Sequence, residues 1–461
     1  MSGPHQSREA TRRVQHRYIP ATDAEREEML RAIGVGAVED LFADLPARVR
    51  LARPLALPPA LSEPELVADL RRLAARNSDC DRLTCFLGAG AYDHFVPSVV
   101  WHLIGRGEFL TAYTPYQAEL MQGELQAGYE YQSMLCELTA MDVANASMYD
   151  GASAVAEAAV MARDLTRRDE VLVSTAVHPE YRQVLHTYVR PLGLTVVEIP
   201  HRNGLTDLAA IERALSSRTA AVICQHPNFF GGLEDGPTLA DLAHRAGALL
   251  VVAIADPLSM GILQPPGRWG ADIVAGEGQA LGNPLNFGGP YLGMLATRQE
   301  FVRRMPGRLI GATVDTEGTR GFVLTLQTRE QHIRRERATS NICTNEALLT
   351  LAAAVYLATV GKTGLRQVAE LNLQKAAYAK VAIAALGGYT LPWGTPTFHE
   401  FVVRTPIPPD EVNRRLRAEG ILGGAPLGRW YPDLADCWLL CVTEQRTRAE
   451  IDRFVALLGA I

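Results

Sequence analysis

Two rhythms of apolar residues divide this chain. Near its start they recur at helical spacing: Met29, Leu30 and Ile33 follow a Thr22–Glu25 capping pattern and stop at Gly34, predicting a first helix. Ser62-Glu-Pro-Glu65 predicts a second helix, with Leu66, Leu70 and Leu73 as its buried stripe. Pro54, Pro58 and Pro59 mark a linker between the two. Residues 1–79 thus read as a helical arm with a linker rather than as a domain.

From residue 80 to about 330 the rhythm changes. Short apolar runs at 144–148, 171–174, 195–198, 220–224, 249–252 and 273–274 alternate with helical stretches such as 208–215 and 239–246. Strands that lack polar alternation are covered on both faces, so these predict a mostly parallel sheet in a large α/β domain. An Ala- and Leu-rich helical segment follows at 345–385. Strands at 400–403 and 438–442 then give residues 331–461 the pattern of a smaller α+β C-terminal domain.

Composition narrows the class. Hydrophobic residues make up 48% and charged residues 21%, ordinary for a soluble globular protein. With 45 Lys+Arg against 51 Asp+Glu the formal charge is −6, which argues against nucleic acid as the main partner. No apolar run approaches the ~20 residues of a membrane span. The first residues are polar and Arg/His-rich, so cytoplasmic residence is the expectation. The cysteines at 80, 85, 136, 224, 343, 437 and 441 are scattered and odd in number, unlike a disulfide framework. Cys437 and Cys441 suit a buried strand, and no metal site is expected.

The chain has three lysines, Lys362, Lys375 and Lys380, confined to one C-terminal stretch. A large α/β enzyme of the kind that carries pyridoxal phosphate (PLP) needs a lysine to hold the cofactor as a Schiff base, and arginine does not condense with an aldehyde. A self-sufficient PLP enzyme would have to use Lys362, which lies in the helical segment beyond the sheet. Polar side chains gather elsewhere. Tyr149-Asp-Gly-Ala-Ser153 joins a strand to a helix start, where free N–H groups can hold an anion or Ser153 can act as N-cap. Segments 87–97 and 109–119 set Tyr92, His94, Tyr113, Tyr116, Gln117 and Glu119 among glycines and prolines, the kind of loop that lines sites. Segment 270–291 is a strand running into a glycine-rich turn, and 331–343 is an Arg-rich stretch that reads as an interface salt-bridge network.

These stretches, with 17–20, 86–97, 106–128, 149–162, 225–235, 270–293 and 331–345, closely resemble the glycine decarboxylase (P-protein) family of the glycine cleavage system, in the α chain of its split form. The resemblance implies a PLP-dependent transferase fold, aspartate aminotransferase-like and of fold type I. It also implies pairing with a homologous β chain as α2β2. In the catalytic β chain a His-Lys pair follows the strand and its lysine binds PLP. Those places fall here on Gln279 and Ala280, and the aspartate that pairs with the pyridinium nitrogen falls on Ala253, with Asp256 three residues on. PLP is therefore expected on the partner chain and no cofactor-binding residue in this one. The reaction implied is decarboxylation of glycine and transfer of the aminomethyl group to the lipoyl arm of the H-protein. Tyr92, His94, Tyr113, Tyr116, Gln117 and Glu119 are then expected at a cleft on the α–β boundary, positioning substrate or sulfur. The competing expectation is a purely structural partner that supplies no site residues.

Overall fold

The computed structural model describes residues 20–51, 53, 55–110, 114–342 and 346–461. Its contacts divide at Asn77, giving one unit that ends there and a second, Ser78–Ile461. In the first unit the capping boxes form as expected. Thr22 caps the helix Asp23–Ile33: its hydroxyl accepts from Glu25 N, and Glu25 accepts from Thr22 N at 2.7 Å. Gly34 closes the helix in the left-handed conformation. At the start of Glu63–Ala74, Glu65 Oε2 likewise accepts from Ser62 N at 2.8 Å, and the Ser62 hydroxyl donates to the same oxygen at 2.6 Å. The expected buried stripe needs correction: Leu66, Leu70 and Leu73 are 46%, 55% and 42% exposed, and neither helix contains a buried residue. Capping is local and needs only neighbouring residues, whereas burial needs a covering surface.

The second unit is built on a seven-stranded sheet. In chain order its strands are β1 (Val143–Ala144), β2 (Glu170–Ser174), β3 (Thr195–Ile199), β4 (Thr219–Gln225), β5 (Leu249–Ile254), β6 (Ile273–Glu277) and β7 (Gly293–Thr297). Across the sheet they run β1-β7-β6-β5-β4-β2-β3, and only the pairings of β7 are antiparallel. Alternate side chains sort to opposite faces. Leu172, Val222, Leu250, Val252 and Val274 join a core with Tyr131, Leu135, Leu239 and Tyr356. Val171, Val173, Ile223, Val251 and Ile273 join another with Val155, Ala158 and Leu185. Both faces are covered by helices, which is why these strands are apolar throughout.

The helix Ala347–Ala384 is two helices joined at Gly361, where φ is 57°. It is the one described helix long and apolar enough to cross a membrane, yet its first half places Leu351–Ala354 and Tyr356 in the sheet's core. Its second half places Ala376, Ala379 and Ile383 in a C-terminal core with Trp438, Phe401 and Phe454. There Glu400–Arg404, Cys437–Cys441 and Ala425–Pro426 form a three-stranded antiparallel sheet. Cys437 and Cys441 lie in its wholly buried central strand. Thr84–Cys85 pairs in parallel with Ile421–Leu422, so the chain entering the second unit first joins this C-terminal layer.

A hairpin not anticipated from the sequence, Leu309–Val314 with Arg320–Thr325, packs on the helix Gln122–Thr139. Two glutamines fasten it. Gln132 exchanges hydrogen bonds of 3.0 Å with Ile310 N and O, and Gln122 does the same with Phe322 at 2.9 and 2.8 Å.

Candidate functional site

Ligands of open α/β sheets bind beyond the carboxyl ends of the parallel strands. Here β5 delivers Ala253 and then Asp256, and β6 delivers Glu277, Gln279 and Ala280, all buried. The helix Gly151–Thr166 begins beside the end of β6. A Cβ at Gly151 would lie 2.9 Å from Glu277 N and 2.3 Å from the Tyr181 hydroxyl, so only glycine admits this approach.

The chain fills that helix end with a side chain of its own. Gly151 N donates to Glu277 Oε2 at 3.0 Å. Glu277 Oε1 accepts from Gln279 N at 3.0 Å and from Leu292 N at 2.9 Å. Burial pushes the Glu277 carboxyl up to about 8, against these N–H donors, which favour its ionised form. The N-cap is Asp150, whose side chain accepts from Ser153 N at 2.7 Å. Ser153 answers from the third helical position, donating to Asp150 O and accepting from Asp150 N. Ser153 is therefore not the N-cap, and a free N–H of the helix start, Gly151 N, is taken by a carboxyl group of the same chain.

A second set of side chains fills the space beside Ala280. Gln279 accepts from Tyr92 N at 2.9 Å and donates to Tyr92 O at 3.1 Å and Asn283 O at 2.6 Å. The Tyr92 hydroxyl, in a residue 2% exposed, donates to Glu400 Oε2 at 2.9 Å. Glu400 Oε1 accepts from Ala89 N at 2.7 Å. His94 stands between Glu444 Oε2, 2.7 Å from Nδ1, and Asp256 Oδ2, 3.3 Å from Nε2. Burial works against a charged His94, but Glu444 and Asp256 outweigh it and raise its pKa to about 10. Burial likewise opposes the Asp256 carboxylate, and the His94 charge with hydrogen bonds from His399 and His94 holds its pKa below the usual range.

His94, Asp256 and His399 are the one group of three potential metal ligands among the described residues, their ligand atoms within 4.8 Å of one another. A metal needs neutral imidazoles. In the arrangement described, Glu444 and Asp256 on either side of His94 favour its protonated form, which binds no metal.

The six expected site residues do not share one environment. Tyr92 and His94 belong to the buried network. Tyr116 is half exposed, and its hydroxyl accepts from Arg308 Nη2 at 2.8 Å while its ring lies under that guanidinium. Gln117 and Glu119 are exposed, and Tyr113 lies outside the described residues. Glu277, Arg308, His399, Glu400 and Glu444 were not expected. Glu277 had a signal, a lone carboxylate between glycines at the end of an apolar strand. The others had none.

The fold is that of the PLP-dependent fold type I enzymes. It matches the solved structures of a sphingosine-1-phosphate lyase from Burkholderia pseudomallei (TM-score 0.65, 17% identity, 90% of this chain and 94% of that one) and of a NifS-like protein (TM-score 0.60, 12% identity, 82% and 98%). At that identity the likeness concerns the fold alone. Within this class the chain belongs to the glycine cleavage system P-protein family, whose model matches residues 16–458. It is 57% identical over 445 residues to the probable glycine dehydrogenase (decarboxylating) subunit 1 of Desulforamulus reducens, covering 96% of this chain and 100% of that one. The counterpart from Desulfitobacterium hafniense is 54% identical, covering 96% and 99%. A crystal structure of the glycine decarboxylase P-protein in inhibitor-bound form superposes with a TM-score of 0.88 at 45% identity, covering 96% of this chain and 100% of that one.

The residues present do not fit PLP. The position expected to form the Schiff base is Ala280 and the one expected to face the pyridinium nitrogen is Ala253. The helix end that would receive a phosphate already holds the Glu277 carboxyl group.

Proposed function

We propose that this chain is the α subunit of a split glycine decarboxylase, with PLP held by a homologous β subunit in an α2β2 assembly in the cytoplasm. The assembled enzyme decarboxylates glycine and passes the aminomethyl group to the lipoyl arm of the H-protein. PLP on the partner supplies the electron sink for that chemistry. The observation that carries the reading is Glu277, a carboxyl group built into the helix end where a cofactor phosphate would compete for the same N–H groups. Family membership and the alanines at 253 and 280 support it. The helices Asp23–Ile33 and Glu63–Ala74, which bury none of their own residues, fit an arm that packs on another chain.

In this reading Tyr92 and His94 hold the closed centre of the α chain rigid. Tyr116, Gln117 and Glu119, together with Tyr113, are the residues we assign to meeting substrate or the lipoyl arm at the α–β boundary. The test adds PLP to the purified chain and follows the absorption spectrum before and after borohydride. No aldimine band and no covalent label are expected, whereas the complex with subunit 2 shows both and exchanges glycine carboxyl with CO2. A borohydride-fixed adduct on the isolated chain overturns the reading.

A further inference from the structure

We propose that a groove beside Lys380 binds an aliphatic monocarboxylate, its carboxylate on the Lys380 ammonium and its chain along the apolar walls. The groove, about 270 Å3, lies between the second half of the helix Ala347–Ala384 and the segment that leads into the strand Glu400–Arg404. Leu373, Ala377, Val381 and Ala384 line it from the helix, at the spacing that puts residues on one face. Leu391 and Phe398 line it from the other side. Set against the roughly 150 Å3 that accommodates a benzene ring, this is room for a chain of about eight carbons.

Lys380 is the one charged residue that lines the groove. An adjoining crevice, which shares Lys380, Leu391 and Thr397 with it, brings no further charge. An ammonium carries three N–H donors. One goes to Thr397 Oγ1 at 2.8 Å, and the charge lies 5.9 Å from the centre of the Phe401 ring. Among the described residues no carboxylate pairs with Lys380, and burial, with no opposite charge against it, lowers its pKa. The apolar wall beside it is open: Val381 is 74% exposed. An inorganic anion answers the ammonium and leaves that wall wet, whereas a neutral hydrocarbon covers the wall and leaves the ammonium without a counter-ion. A doubly charged phosphate is only half compensated by a single ammonium. The ligand that answers both features carries one negative charge at the end of an unbranched hydrocarbon. The ligand class follows from this groove alone, so its failure leaves the reading of the chain as an α subunit intact.

The test uses the full-length chain with octanoate as probe, followed by isothermal titration calorimetry. Saturable binding is expected, strengthening about fourfold for each CH2 added from butanoate to octanoate. Octanamide and octylamine should bind at least about tenfold more weakly, because neither brings a negative charge to the ammonium. Since the chain has three lysines, isotopic labelling of lysine lets each side chain be followed separately by NMR. Octanoate should raise the pKa of one of them, the one whose signal is missing in Lys380→Met. Ala377→Trp, at an exposed position on the groove wall, should abolish binding, and circular dichroism establishes that each variant is folded. The proposal is overturned if octanoate does not bind saturably, if octanamide binds as well as octanoate, if the lysine that responds is Lys362 or Lys375, or if a folded Ala377→Trp variant binds octanoate as the wild type does.

Discussion

Replacing Glu277 by Ala tests whether this side chain stands in for an external anion. The substitution removes the acceptor of three buried N–H groups, on Gly151, Gln279 and Leu292, at 3.0, 3.0 and 2.9 Å. Each orphaned donor costs about 1–3 kcal/mol, and water entering the vacated space recovers part of that. A net loss of about 3 kcal/mol is expected, read as a shift of the urea midpoint at unchanged slope. The vacated site keeps its N–H groups and its positive helix end, so inorganic phosphate should now bind there. At one hundred times its dissociation constant phosphate restores about 2.7 kcal/mol. The wild type should gain nothing comparable, because its own carboxyl group already occupies the place. A variant as stable as the wild type, or equal stabilisation of both proteins by phosphate, refutes the argument.

The same residue gives a pH signature. Burial, the largest influence, raises the Glu277 pKa from 4.5 to about 8, so the folded state holds this proton more tightly than the unfolded chain. The stability it contributes is complete below about pH 4.5 and is lost as the pH rises through about 8. Glu277→Gln removes that dependence, flattening the wild-type decline across this window, and leaves one N–H facing the amide NH2 at a cost of about 1–3 kcal/mol.

His94 acts in a higher window: its pKa rises from 6.5 to about 10, so its contribution is complete below 6.5 and lost towards pH 10. The corresponding upper bound is roughly 5 kcal/mol, and His94→Gln should abolish that alkaline loss in denaturation curves. At Gly231, φ is +83° and a Cβ would lie 1.9 Å from Glu400 O. Gly231→Ala should therefore destabilise by about 3 kcal/mol or more in urea titrations. Ala280→Lys alone should not create a PLP site, because residue 280 is 2% exposed and the neighbouring helix end is taken. Its spectrum with PLP should lack a borohydride-fixed adduct. Removing residues 1–77 should leave the circular dichroism of the remaining unit intact and weaken its association with subunit 2 in gel filtration.

What the sequence discloses and what it conceals follow from the range of the interactions. Capping boxes at Thr22 and Ser62 join residues three apart, and covered strands announce themselves by their own apolar runs, so arm helices and sheet were legible. The stripe Leu66, Leu70, Leu73 shows a helix to be amphipathic without saying what covers it. The site is another matter. Gly151 and Glu277 are 126 positions apart, Tyr116 and Arg308 192, and His94 and Glu444 350, and no periodicity connects them. An absence was nevertheless readable, since a chain with alanine at 280 has no amine there to offer. The structure adds something that the missing lysine could not. Loss of one amine would leave a helix end still able to take phosphate and a space still shaped for a ring. Here the Glu277 carboxyl group holds that helix end, and Gln279 locks Tyr92 from both sides of its backbone. The centre is filled by groups that satisfy one another, so restoring the lysine would restore only one of several missing requirements.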